Sequence, residues 1–413
     1  MDKLIDDLLI QILLRLPLIA LVRFKCVCKS WYSIITSSSF IDKRFLFNHN
    51  NNTHRYVLIH SSTATAEPSF TNVDVLRYDT LHRVGLATVV VETPRFPPAP
   101  FPLIDNRFTN INVEGSCNGL LSVSVLGSDR YDIIERLIWN PATAETKVVP
   151  TSLYSSQQGD NPTQICGIGL GFDAENNDYR VVFIHRFMEG FPQSMEMEVY
   201  SLKSDTWRLL PSLMLLIDMV CAGTGALTNN NGMYSWLTVN ERDDNGAFLQ
   251  DTLKGEIVSF EMSSEVIIRT CLPDDITNPL DYVNYIMVYD GSLAIASRIK
   301  IDGSSFDGED YEIWVLRELG VQYSWSKLFS IGPIQNTIQC LGFWKDDGGY
   351  YKMFFELDIE NDPPTLARRD AKLSLHDHLT EQTLDLPVFG IGMTMWNYQD
   401  SLVSIKYAHT ISN

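Results

Sequence analysis

A spacing close to sixty residues constrains this chain more than any other feature. Apolar runs that cross a polar loop and return recur as VLRYDTLHRV, LIWNPATAETKVVP, EVYSLKSDTWRLLP, VSFEMSSEVIIRTCLP, EIWVLRELGVQYSW and LSLHDHLTEQTLDLP. With Tyr78, Trp139, Tyr200, Phe260, Trp314 and Leu375 as anchors, the successive separations are 61, 61, 60, 54 and 61 residues. A fixed period with several strands per repeat is the pattern of a radially repeated sheet structure, in which repetition protects strand edges. Asn118-Gly119, Asn231-Gly232 and Asp290-Gly291, each ahead of alternating hydrophobics, are hairpin turns, because both central residues must accept positive φ. The spacing therefore predicts a mostly β chain whose residues 50–410 form a six-bladed β-propeller. The alternative, a pair of β-sandwiches, gives no reason for the period. Closing such a ring requires the two ends to share a sheet, and the alternating segments 54–59 and 400–405 are the expected pair.

Residues 1–47 have a different texture. Leu4, Leu8, Ile12 and Leu16 recur every four residues, Ile5, Leu9 and Leu13 fill the adjacent stripe, and Asp6 and Asp7 stand in the first turn, where the helix dipole favours them. Pro17 ends this helix and opens a second, Ile19 to Phe24. A third, Lys29 to Ile35, precedes the polar run Thr36-Ser37-Ser38-Ser39. Three helices this short cannot bury so much apolar surface among themselves, so the surplus calls for a partner.

The segment LIDDLLIQILLRLPLIALVRFKCVCKSWYSIITSSSF resembles the F-box of plant F-box proteins along its whole length. The resemblance implies docking of residues 1–47 on a Skp1-type adaptor and, through it, a cullin. The contacts it implies are Leu4, Leu8, Ile12, Leu13, Leu16, Pro17, Leu21, Phe24, Val27 and Trp31, with Trp31 as the anchor and Lys25 and Lys29 at the rim. The family usually opens with Leu-Pro, where this chain has Leu4-Ile5, which removes a contact that the proline makes. Further on, SCNGLL, IWNPAT, GIGLGFD followed by YRVV, and EVYSLKSDTWR are similar to the F-box-associated domain of the same proteins. Together they imply a non-catalytic substrate receptor of an SCF ubiquitin ligase, cytoplasmic or also nuclear. The style is similar to the S-locus F-box subfamily, which recognises ribonucleases of the pistil. A propeller enzyme and a non-degradative F-box scaffold are the competing readings.

Charge bears on the target. The net charge is −19; residues 1–47 hold seven cations against four acids, which leaves −22 for the remainder. Such a body repels nucleic acid and suits a basic protein partner, of which an S-ribonuclease would be one. Three acidic loops, 241–244 with Asp243 and Asp244, 302–309 with Asp307 and Glu309, and 356–362, are expected to be solvated and to steer that partner. The Pro-rich stretch 93–102 is too poor in donors for a central strand and should expose Phe96 and Phe101 at a rim. The start carries acids where a secretory leader carries cations, and no apolar run reaches the length needed to span a bilayer.

Chemistry is weakly represented. Cys26 and Cys28 lack the gap of a zinc pair and are expected to be small buried apolar residues; the seven cysteines suit a reducing compartment. Gly167, Gly169 and Gly171 mimic a phosphate loop, but an alternating strand follows and a tight strand is the reading. His376-Asp377-His378 could face a metal, yet its place at a hairpin makes it an exposed loop. The motif G-x-S-x-G is absent, and neither a metal nor a cofactor is expected.

Overall fold

The structure is a computed structural model that describes residues 2–50, 55–62, 71–77, 91–92, 110–126, 133–154, 163–187, 195–210, 219–221, 226–228, 232–240, 254–276, 282–299, 308–345, 349–359 and 371–405. Its chain divides into two compact units. One comprises residues 1–60, 71–149 and 395–413; the other comprises residues 61–70 and 150–394.

The first unit begins with helices α1 (Asp2–Leu14), α2 (Leu18–Phe24), α3 (Lys29–Thr36) and α4 (Ser38–Asn50). The expected three helices become four. The serine run, read as the end of the helical segment, starts the last helix instead. Ser37 Oγ accepts the Phe40 N–H at 3.3 Å, and the Ser37 carbonyl accepts from Phe40 and Ile41 at 3.1 Å. A serine at this position caps free N–H groups as readily as it terminates a helix. Leu13, Leu14, Leu18, Leu21, Ile35 and Phe40 form the buried centre of the bundle, together with Leu402.

The strands follow in chain order: β1 (Arg55–Ser62), β2 (Thr71–Arg77), β3 (Val91–Glu92), β4 (Asn110–Cys117), β5 (Leu120–Leu126), β6 (Ile133–Asn140), β7 (Glu145–Val148), β8 (Thr163–Asp173), β9 (Asp178–Phe187), β10 (Met195–Ser201), β11 (Thr206–Leu209), β12 (Met219–Cys221), β13 (Ala226–Thr228), β14 (Met233–Asn240), β15 (Lys254–Glu261), β16 (Ile267–Cys271), β17 (Tyr282–Tyr289), β18 (Ser292–Ile299), β19 (Glu309–Leu316), β20 (Trp325–Ile334), β21 (Thr337–Lys345), β22 (Tyr351–Asp358), β23 (Ala371–Asp377) and β24 (Gln382–Gln399). They form antiparallel meanders β4 to β7, β8 to β11 and β17 to β20, a five-stranded sheet of β12 to β16, and a seven-stranded sheet in the order β21-β22-β23-β24-β1-β2-β3.

Among the described residues there are thus five sheets, not six. The eighteen-residue β24 is bonded to β23 on one side and β1 on the other, so the first and last repeats share one sheet. The strand beside β1 is therefore 382–399 and not 400–405, which forms no strand. The period nonetheless marked real positions. Trp139, Tyr200, Phe260, Trp314 and Leu375 are all buried on β6, β10, β15, β19 and β23; Tyr78 lies outside the described residues.

Within the second unit, successive sheets bury apolar faces against each other. Val182, Ile184 and Met197 pack against Tyr234, Trp236 and Phe260, and farther on Ala296, Ile313 and Val315 pack against Phe343, Met353 and Phe355. The three glycines of β8 explain how close this packing is. A Cβ at Gly169 would stand 2.8 Å from the Tyr234 ring, and one at Gly171 would stand 2.5 Å from Met262. The motif is a tight strand leading into a second strand, and its glycines serve close sheet approach.

Candidate protein-docking face

Helix α1 divides its apolar side chains between two fates. Leu13 and Leu14 are buried, whereas Leu8 and Ile12, one turn apart on a single stripe, are exposed, Ile12 by 59%. Ile19 on α2 is exposed, and Val27, in the turn before α3, is 60% exposed. Pro17 is exposed, and Leu16, Phe24 and Trp31 are half-buried. Phe24 and Trp31 meet edge to face with centroids 5.1 Å apart. Of the expected contacts, Leu13 and Leu21 therefore sit in the bundle's own core; the Leu4 side chain lies outside the described residues. Ile19 was missed because it lies in the first turn of the short α2, where no period singles it out.

The two cysteines of RFKCVCKSWY are free and exposed, which corrects the expectation of burial. Residues 25–28 form the turn between α2 and α3, with Cys26 N–H donating to Arg23 O and Val27 N–H to Phe24 O, and Cys26, Val27 and Cys28 of this turn are exposed. Lys25, at the same turn, is pushed below the usual lysine range by burial, an effect that Glu145 opposes. Lys29 is exposed.

Segment 399–405 fixes these helices to the sheet β4 to β7 inside the first unit. Gln399 Nε2 donates to Phe45 O at 2.8 Å, and Leu402 lies in the helical core. Asn140, of IWNPAT, is fully buried; its Nδ2 donates to Ser401 O at 3.1 Å and Val403 O at 2.7 Å, while its Oδ1 accepts the Ala142 N–H at 3.0 Å. Glu145 accepts Ser404 Oγ at 2.9 Å and Ile405 N–H at 2.7 Å. The backbone of 401–405 is committed to these side chains, which is why it joins no ladder. Buried Arg44 donates to Leu14 O at 3.1 Å, filling a free carbonyl at the end of α1, and burial lowers its pKa to about 10 against the pull of Asp400.

The expected target residues fare unevenly. Phe96, Phe101, Asp243, Asp244 and Asp307 lie outside the described residues. Glu309 is half-buried and paired with Arg298. Glu356, read as part of a solvated loop, is a buried residue of β22. Its carboxylate accepts from Gln339 Nε2 at 2.6 Å and from the Gly392 and Met393 N–H groups at 2.9 and 3.0 Å. His376, read as exposed, is buried on β23 and hydrogen-bonded to Thr383 Oγ1 at 2.9 Å, while His378 stacks on Phe329 at 4.6 Å. Strand β23 runs on to Asp377, so the hairpin begins later than the sequence suggested.

One constellation that the sequence did not reveal is Ser152, His185 and Glu198. His185 Nε2 lies 2.8 Å from Glu198 Oε1 and 3.5 Å from Ser152 Oγ. A hydrolytic triad divides its acid and hydroxyl between the two ring nitrogens; here both approach the same one, on a buried ring. The group is a buried polar tie, with Leu153 N–H donating to Glu198 Oε2 at 3.1 Å. Among the described residues no group of three metal-ligating side chains occurs, and no helix is long and apolar enough to cross a membrane.

Comparison with known proteins bears on both segments. Residues 1–43 match the F-box domain, and residues 93–405 match the F-box associated beta propeller domain. The F-box/kelch-repeat protein At3g23880 of Arabidopsis thaliana is 25% identical over 354 residues, covering 83% of this chain and 82% of that protein. The F-box protein CPR1 of the same plant is 25% identical over 341 residues, covering 79% of this chain and 72% of that protein.

Proposed function

Because the chain belongs to the family of proteins with an F-box associated beta propeller domain, preceded here by an F-box, we propose that it is the target-selecting subunit of an SCF-type ubiquitin ligase. One observation carries this reading. The helical bundle fills its own core and still leaves Leu8, Ile12, Ile19 and Val27 in solvent. Large apolar side chains gathered on so small a module are the composition of a covered surface. A Skp1-type adaptor is the partner that would cover them, with the half-buried Trp31 at its edge. The chain itself performs no bond chemistry; it raises the effective concentration of a target beside a ubiquitin-loaded enzyme. Such a receptor acts in the cytoplasm or nucleus.

Co-purification with a recombinant Skp1-type adaptor tests the reading. Ile12→Asp combined with Val27→Asp should abolish the complex and leave thermal unfolding unchanged. Leu13→Ala should also lose the adaptor, but through the bundle, at about 2–5 kcal/mol of stability. An aspartate pair that binds like the parent chain would remove the docking face.

The target we propose is a basic protein, and within that class an S-ribonuclease of pollen self-incompatibility. The net charge of −19 supports this. Reconstituted ubiquitination of a basic pistil ribonuclease is the test. Adaptor binding without transfer to that ribonuclease sets this target aside, and adaptor binding without transfer to any captured protein favours the scaffold reading.

A further inference from the structure

The F-box match ends at residue 43, yet the centre of the helical bundle is closed by Leu402. This side chain is buried among Leu13 and Leu14 of α1, Leu18 and Leu21 of α2 and Phe40 of α4. Leu13 and Leu18 adjoin, in sequence, Ile12 and Ile19, which are exposed on the docking face. The two helices thus turn one apolar side to solvent and the other toward Leu402. Their mutual placement, and with it the shape of the face, depends on a residue that lies outside the helices.

Leu402 is itself fixed by the sheet β4 to β7. Asn140 holds the carbonyls of Ser401 and Val403 on either side of it, and Glu145 holds Ser404 and Ile405. Two charges carry the link further. Asp400, which accepts Tyr56 Oη at 3.1 Å, attracts Arg44, and Arg44 donates to Leu14 O at the end of α1. Glu145 attracts Lys25, in the turn that carries Val27. A close-packed core shared by several elements does not deform continuously. Without its plug the bundle samples arrangements in which the face is not assembled, and a partner binds only the competent fraction.

We propose that Leu402 is a positioning residue for adaptor docking, through which the sheet β4 to β7 sets the arrangement of α1 and α2. The adaptor is bound tightly only by a chain whose segment 399–405 is seated on that sheet. The proposal rests on the receptor reading and deepens it, because it makes loading of the ligase conditional on a folded β4 to β7 sheet. Linkage requires the converse: an adaptor bound at the helices stabilises segment 399–405.

Titration of the full chain with a recombinant Skp1-type adaptor, at a temperature where every variant is folded, tests it. Leu402→Ala should weaken binding by about tenfold or more, although the residue is buried and offers the adaptor nothing to touch. Leu402→Val, a smaller deletion that serves if the alanine variant does not fold, should lose affinity in the same direction. Leu402→Met, which refills the volume, should bind like the parent. Val123→Ala is the control, since Val123 is buried on β5 in a cluster that includes no helical residue. It should lower the thermal midpoint and leave adaptor affinity unchanged. Hydrogen exchange gives the converse reading. The amides of Val403 and Ile405, which donate to Ser401 Oγ at 3.2 Å and to Glu145 at 2.7 Å, should exchange faster in the Leu402 variants and slow again on saturation with adaptor. Parent affinity in the folded Leu402 variants, an equal loss in Val123→Ala, or exchange indifferent to the adaptor overturns the coupling. A parent chain that does not bind removes the receptor reading and the proposal with it, whereas equal binding by parent and variants removes the proposal alone.

Discussion

Asn140 Nδ2 donates to Val403 O across 2.7 Å, joining residues separated by more than half of the chain. The same amide holds Ser401 O, and residue 402 between them enters the helical core. The IWNPAT motif thus fastens the segment that seats the docking helices.

Asn140→Ala should therefore destabilise the first unit more than a surface change does. It strands the buried carbonyl of Ser401 and the part-buried one of Val403 and removes the acceptor for Ala142, and an unmet buried group costs about 1–3 kcal/mol. Urea unfolding should show the loss, and Asn140→Asp should be no better, since a carboxylate cannot donate to the two carbonyls. Full stability in both variants contradicts the clasp.

Two glycines separate backbone strain from steric exclusion. Gly119 has φ +82°, and a Cβ there would stand 2.3 Å from Ser401 Cβ; Gly349 has φ +83° and nothing within 4 Å. Gly349→Ala should cost about 1–2 kcal/mol, the penalty of the left-handed region alone. Gly119→Ala should cost clearly more, because segment 399–401 must move. Equal midpoints in a denaturant series would falsify the close approach.

Glu114 gives a pH signature. Burial raises its carboxyl above the usual range, opposed by Arg136, whose Nε lies 3.5 Å from Oε1. A carboxyl raised on folding adds stability that is complete below its unfolded value, about 4.3, and fades as pH rises through the folded value. Glu114→Gln keeps the shape and cannot ionise. The stability difference between parent and variant should then shift against the parent as pH rises above that unfolded value. A difference independent of pH from 4 to 8 excludes the shift.

Most of the architecture was legible in the sequence because it depends on local pattern. The alternation around Tyr200 or Phe260 reports a strand with one face buried, whatever lies opposite. Asn118-Gly119 and Asp290-Gly291 form the expected turns, with φ of 49° and 82° and of 49° and 79°. Serine was ambiguous for a local reason as well, since the hydroxyl that ends α3 also caps α4. His376 and Glu356 misled because charge suggests solvent, and only neighbouring strands supplied the partners that allow burial.

By itself, the sequence determined the helical start, the repeated strands and the positions that face inward, since each follows from side-chain periodicity along a single element. Tertiary structure alone decided that the first and last repeats share one sheet, that Leu13 and Leu21 hold the bundle while Ile12 and Val27 remain in solvent, and that segment 401–405 is held by side chains. These outcomes depend on which distant groups satisfy a buried backbone or cover an apolar face, and no local period records the distance between residues hundreds of positions apart.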